Sequence, residues 1–116
     1  MQTLMTANEE LGRRMPLFIN HESARYWFKQ QYGSRFVMVD STIENDVKFY
    51  IYHLVHDRMV YLKSMNAIRE GSPFNQSKFK DSYTEFEISE KGFVFIKKGG
   101  NDIELSKQRN VNRIHS

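Results

Sequence analysis

The stretch Val47–Met65, VKFYIYHLVHDRMVYLKSM, is the one whose reading decides the fold. It is the most aromatic segment of the chain and carries His53 and His56. Its first half, Val47–Val55, is rich in Val, Phe, Tyr and Ile, residues that suit a pleated, half-buried surface, and it reads as a strand. Its second half has two readings. With a two-residue turn at Asp57-Arg58, Met59–Met65 returns as a third strand. Phe49, Ile51, His53, Val55, Val60 and Leu62 then share one face, and Lys48, Tyr50, Tyr52, Tyr61 and Lys63 share the other. In the competing reading Ile51, Leu54 or Val55, Met59, Leu62 and Met65 fall at helical spacing. The strand reading is preferred because it groups Val60 and Leu62 with Val55.

On the N-terminal side a change of period marks a helix. Ala24, Trp27, Phe28 and Tyr32 follow i, i+3, i+4, i+8 between Asn20, a good N-cap, and Gly33, a good C-terminal stop. A shorter helix is expected over residues 6–13, where Thr6 and Glu9 match a capping box. After Gly33 the period falls to two, and Arg35–Ile43 reads as a strand that turns at Glu44-Asn45-Asp46 into Val47–Val55. In that hairpin Val37 should face Leu54 and Val39 should face Tyr52.

On the C-terminal side Gly71-Ser72-Pro73 breaks the chain, and residues 71–81 form a connector pinned by Phe74 and Phe79. A meander follows: Tyr83–Ile88, Phe93–Lys98 and Asn101–Leu105, with turns at Ser89-Glu90-Lys91-Gly92 and Gly99-Gly100. This register pairs Phe86 with Ile96, Ile88 with Val94, Ile96 with Ile103 and Val94 with Leu105 on one apolar face. The other face sets Glu85 and Asp102 against Lys97. Two independent turns thus agree on one core face.

The fold class expected is α+β: an N-terminal helix packed on antiparallel β-meanders of about six strands, as a curved sheet or open barrel. Residues 1–105 form a single domain, and 106–116 form a basic, flexible tail. The chain of 116 residues is neutral over 1–105, with 14 Lys/Arg against 14 Asp/Glu. Lys107, Arg109 and Arg113 supply the whole net charge of +3. There are no cysteines, which excludes disulfides and thiolate chemistry and suits a reducing, cytoplasmic setting. No apolar run reaches the roughly 18 residues a membrane helix needs, so no membrane association is expected.

The sequence carries no complete catalytic signature. His21-Glu22-Ser23-Ala24-Arg25 begins like a zinc-binding H-E-x-x-H, but the fifth residue is Arg25. His21 beside a helix cap then reads as a surface residue. His53, His56 and Asp57 are the only cluster of metal-ligand types. Positions three apart on a strand point to opposite faces, which works against a shared ion. Gly99-Gly100 lacks the context of a phosphate loop. No catalytic residue, cofactor or resident metal is expected, and the chain reads as a non-enzyme.

The features left with functional content are the face of Lys48, Tyr50, Tyr52, Tyr61 and Lys63 and the tail. The first expectation is a small binding module acting through protein contacts or self-association, because both faces of the central hairpin demand cover. The alternative is a nucleic-acid-binding accessory protein, with those tyrosines stacking bases and the lysines and tail cations meeting phosphate. A third arrangement seats the N-terminal helix on the tyrosine face and closes it.

Overall fold

The computed structural model describes residues 7–98 and 101–104, with side-chain surroundings over 10–97. In chain order the elements are α1 (Ala7–Arg14), α2 (His21–Tyr32), a 3₁₀ turn (Gly33–Arg35), β1 (Phe36–Glu44), β2 (Val47–Val55), α3 (Arg58–Glu70), α4 (Gln76–Asp81), β3 (Tyr83–Ser89), β4 (Val94–Lys98) and β5 (Asn101–Glu104). The strands pair antiparallel in the order β1-β2-β3-β4-β5, with the short β5 at one edge. The sheet is open, and α3 and α4 are inserted between its neighbouring strands β2 and β3. The α+β class and antiparallel sheet therefore stand, whereas about six strands with helix confined to the N-terminal part do not. Four helices are present among the described residues.

The main correction lies in 59–69. Those residues form the helix α3, not a third strand. Its ends explain why. The Asp57 carboxylate accepts from the Val60 amide at 3.1 Å, capping the first turn. Gly71, at φ 72°, ends the helix in the left-handed conformation and returns its N–H toward Ala67 and Ile68. With both caps present, thirteen residues containing Leu, Lys, Met, Ala and Arg propagate a helix. Tyr61 and Ser64 are buried on its inner side.

The helix α2 follows its sequence signals. The Asn20 side chain accepts from the Ser23 amide at 2.9 Å, and the Ser23 hydroxyl completes the cap. Ala24 and Phe28 are fully buried, and Trp27 and Tyr32 pack partly buried beside them. Phe28 stacks on Phe36 of β1 at 4.8 Å and meets Phe86 of β3 edge-on at 5.3 Å. Each such buried aromatic contributes roughly 1.5–3 kcal/mol of apolar transfer. Leu11 and Met15 close the far side of this core. Thr6 lies outside the described residues, as do Gly99-Gly100, Leu105 and the tail.

The β1–β2 hairpin turns through Asn45 and Asp46, both left-handed at φ 50° and 64°, as a tight two-residue hairpin requires. From that turn to Asp40↔Ile51 the register is the expected one. A bulge at Val39 then shifts it by one residue, giving Met38↔Tyr52, Val37↔His53 and Phe36↔Leu54. The expected facing of Val37 with Leu54 and of Val39 with Tyr52 is thereby replaced. Phe36 takes the core position under α2, and Val37 turns to the opposite face. In the C-terminal meander Phe86↔Ile96, Ile88↔Val94, Glu85↔Lys97, Ile96↔Ile103 and Lys97↔Asp102 pair as read from the two turns.

Candidate functional site

Alternation along β2 gives the sheet two chemically distinct faces. Tyr50, Tyr52 and Leu54 face α2, while Phe49, Ile51, His53 and Val55 face the side of α3. Each face carries one buried histidine–tyrosine pair.

On the α2 side His21 opens the helix and its amide donates to the Glu90 carbonyl at 3.1 Å. Its ring is stacked on Tyr50 at 3.6 Å, and Nε2 lies 2.6 Å from the Tyr52 hydroxyl. His21 is thus buried, not a surface residue. Burial pushes the Tyr52 phenol up to about 12. It also lowers the His21 pKa, with Arg25 and Lys48 adding to the effect and Glu22 opposing it. The two effects hold a neutral imidazole against a protonated phenol. Glu22 beside Nδ1, at 3.8 Å, favours the proton there and leaves Nε2 to accept from Tyr52.

On the α3 side His53 is held at three points. Nδ1 lies 2.9 Å from the Tyr61 hydroxyl, Nε2 lies 3.3 Å from Glu85 Oε1, and the ring stacks on Tyr83 at 3.9 Å. A carboxylate only accepts, so Nε2 carries the proton and Nδ1 accepts from Tyr61. Burial lowers the His53 pKa, and the Glu85 hydrogen bond and charge oppose that. Glu85 in turn sits 3.9 Å from Lys97 Nζ, which also reaches the buried Glu87 at 3.6 Å. This Tyr61–His53–Glu85–Lys97–Glu87 chain runs from the buried Tyr61 and His53 out to the partly exposed Lys97. It fixes Tyr61, and through Tyr61 it fixes α3 on the sheet.

Beside Tyr61 lies an open cleft of about 260 Å³, lined by Ser34, Arg35, Val37, Val55, Arg58, Tyr61 and Leu62. Three segments build it: the 3₁₀ turn with the start of β1, the end of β2, and the first turns of α3. Arg35 Nε donates to the Val55 carbonyl at 2.9 Å, and Arg58 Nη2 donates to the Ser34 hydroxyl at 3.1 Å. Both guanidiniums are thus anchored at the mouth of the cleft.

The five residues expected on one binding face are separated. Tyr52 is fully buried under α2, and Tyr50 is half-buried against His21 with Lys48 Nζ 5.1 Å from its ring centre. Tyr61 belongs to α3 and is buried on the opposite side of the sheet, while Lys63 is exposed on α3. The seat for α2 therefore takes the tyrosine face. Lys107, Arg109 and Arg113 lie outside the described residues. Of the three weak metal candidates, His53 is engaged with Tyr61 and Glu85. His56 Nε2 instead meets the Thr84 hydroxyl at 2.6 Å, and Asp57 caps α3. Among the described residues no group of three or more His, Asp or Glu is placed to hold a metal. No helix there is long and apolar enough to cross a membrane.

The cleft and the His53 network have no signature of their own in the order of residues. The network depends on Tyr61 lying one helical turn inside α3, and the available signal was the pair of caps, Asp57 and Gly71, framing a helix-length segment. The arrangement defines an α+β domain with an open antiparallel meander and two helices inserted between β2 and β3. Comparison of the chain with protein-family models, curated proteins and solved structures finds no match.

Proposed function

We propose that the protein is a small non-catalytic binding module that acts through protein contacts on the surface formed by α3 and β1. The observation that carries this reading is the exposure of Met59 and Leu62, 75% and 53%, one turn apart on α3. Leu62 also shares the cleft wall with Val37 of β1. Val39, at the bulge, is also exposed along β1. Apolar side chains gathered beside a cleft favour association, because covering them removes apolar area from water.

The outer edge of β1 supports contact through side chains more than through strand addition. The Val39 bulge interrupts the ladder, the Asp40 carboxylate accepts from the Ser41 amide at 2.8 Å, and Lys29 Nζ donates to the Phe36 carbonyl at 2.6 Å. Such devices blunt an edge against indiscriminate pairing.

Sedimentation velocity over a rising concentration series tests self-association, and lysine-directed crosslinking through Lys63 tests contact with other proteins. Association and Lys63 crosslinks that disappear in a Met59→Asp/Leu62→Asp variant are the expected result. A wild-type protein that stays monomeric, with crosslinks identical in the variant, overturns the reading.

A further inference from the structure

We infer that the cleft between the start of β1 and the first turns of α3 is a binding site for a small organic carboxylate with an apolar body. The inference goes beyond the protein-contact reading: it shares the cleft walls Val37 and Leu62 with that reading and rests in addition on Arg35 and Arg58.

The walls come first. Val37, Val55, Leu62 and the Tyr61 side chain supply a largely apolar lining, and the volume of about 260 Å³ lies just below the range usual for ligand cavities, which starts at about 300 Å³. An apolar body is thus favoured inside, and its size is bounded.

The charges come next. Arg35 and Arg58 line the same cleft from two different segments. Arg35 spends one donor on Val55 and Arg58 one on Ser34. A guanidinium has five N–H donors, so each keeps a fork available while its orientation is fixed. Among the described residues neither guanidinium lies within 4.0 Å of a carboxylate oxygen in an ion pair. The nearby Asp57 carboxylate accepts from the Val60 amide and makes no ion pair with either arginine within that distance. Two anchored cations facing one apolar cleft, without an acidic partner of their own, match a planar anion that accepts from both.

Hydrogen-bond directions favour carboxylate over an uncharged polar head. Tyr61 donates to His53, so the protein's offered donors in the cleft are the two guanidiniums and the Ser34 hydroxyl. A ligand head that only accepts is the complement.

Titration of the full chain with hexanoate and benzoate, followed by amide and side-chain NMR shifts, tests the site. Hexanamide, benzamide and inorganic phosphate serve as comparison ligands. Saturable shifts at Val37, Val55, Arg58 and Leu62 are expected for the carboxylates, with at least tenfold weaker binding of the amides and of phosphate. Arg58→Gln, at an exposed helix start, should weaken carboxylate binding about tenfold. Arg35→Gln should do the same, and Arg35→Lys should restore part of it if the fold is kept. The same titration on Met59→Asp, a residue outside the cleft lining, should be unchanged even where self-association is lost. Equal binding of acid and amide, equal binding of phosphate, or no saturable shift overturns the inference. A null result from hexanoate and benzoate leaves the protein-contact reading intact.

Discussion

The Tyr52 hydroxyl lies 2.6 Å from Nε2 of His21, and the next residue along β2, His53, places Nδ1 2.9 Å from the Tyr61 hydroxyl on the other face of the sheet. Adjacent residues of one strand thus dock two different helices through the same chemistry, α2 through His21 and α3 through Tyr61. Each bond satisfies a buried polar atom that would otherwise cost stability. Tyr52→Phe removes the hydroxyl but keeps the ring against Phe36, 4.5 Å away. It leaves the His21 Nε2 without that donor, so a loss of about 1–3 kcal/mol in urea unfolding is expected. Tyr61→Phe should cost a similar amount. The double variant should be additive, because the sheet separates the two pairs.

The histidines also give the fold an acid-side dependence. His21 and His53 both have pKa values lowered in the folded chain, chiefly by burial, from an ordinary value of 6.5. The unfolded chain therefore binds protons first as pH falls below 6.5. Their stability contribution is complete above that value and is lost as pH drops from it toward the lowered folded values. On the alkaline side Tyr52, raised to about 12, stays protonated while the unfolded phenol ionises near 10, so stability falls again as pH rises through that interval. Thermal midpoints measured from pH 4 to 8 should decline on the acid side, and His21→Gln should flatten part of the decline. A profile indifferent to that substitution would remove His21 as a contributor.

Much of this architecture is legible from residues, and the exceptions share a cause. The α2 caps at Asn20 and Gly33 and the β3–β4 pairing of Phe86 with Ile96 follow from local chemistry that no distant contact overrides. Residues 59–65 carry helical and strand periodicity at once, and grouping Val60 and Leu62 with Val55 favoured the strand. In the fold Val60 is only half-buried and Leu62 is exposed, so the apolar pattern did not report the core face. The caps Asp57 and Gly71 decided the matter. The bulge at Val39 has no signature in a run of Val, Met and Val, yet it moves Phe36 to the core. The cleft was illegible for a further reason: Arg35 and Arg58 meet only once α3 folds back over the start of β1.

Gly92 provides a test of how the end of α2 is seated. It adopts φ 94°, and a Cβ built there would lie 2.7 Å from the Phe18 carbonyl oxygen. Phe18 packs against Trp27 and Phe28, so the loop before α2 has little room to withdraw. Gly92→Ala should therefore cost more than the roughly 1 kcal/mol expected of left-handed strain alone. Chemical denaturation gives the value, and NMR shifts at Phe18 and Trp27 should accompany it. Gly71→Ala is the control. Gly71 is also left-handed, at φ 72°, but nothing lies within 4 Å of its added methyl, so it should show the strain term only.

The register of β1 makes the sharpest prediction, because the bulge at Val39 reverses the roles of neighbouring residues. Without a bulge Val37 would pack under α2 and Phe36 would face away. With it, Phe36 is fully buried between Phe28 and Tyr52, stacked at 4.8 Å and 4.5 Å. Val37 instead lines the open cleft. Phe36→Ala should then cost about 3–5 kcal/mol, the loss typical of a large aromatic removed from a packed core. That is enough to unfold a domain of marginal stability. Val37→Ala removes fewer atoms from a half-exposed wall and should cost under about 1 kcal/mol. Val39→Ala, at the 39%-exposed bulge, should sit within about 0.5 kcal/mol of wild type. A urea series on the three variants gives the order directly, and Val37→Ala proving costlier than Phe36→Ala would place the strand in the unbulged register.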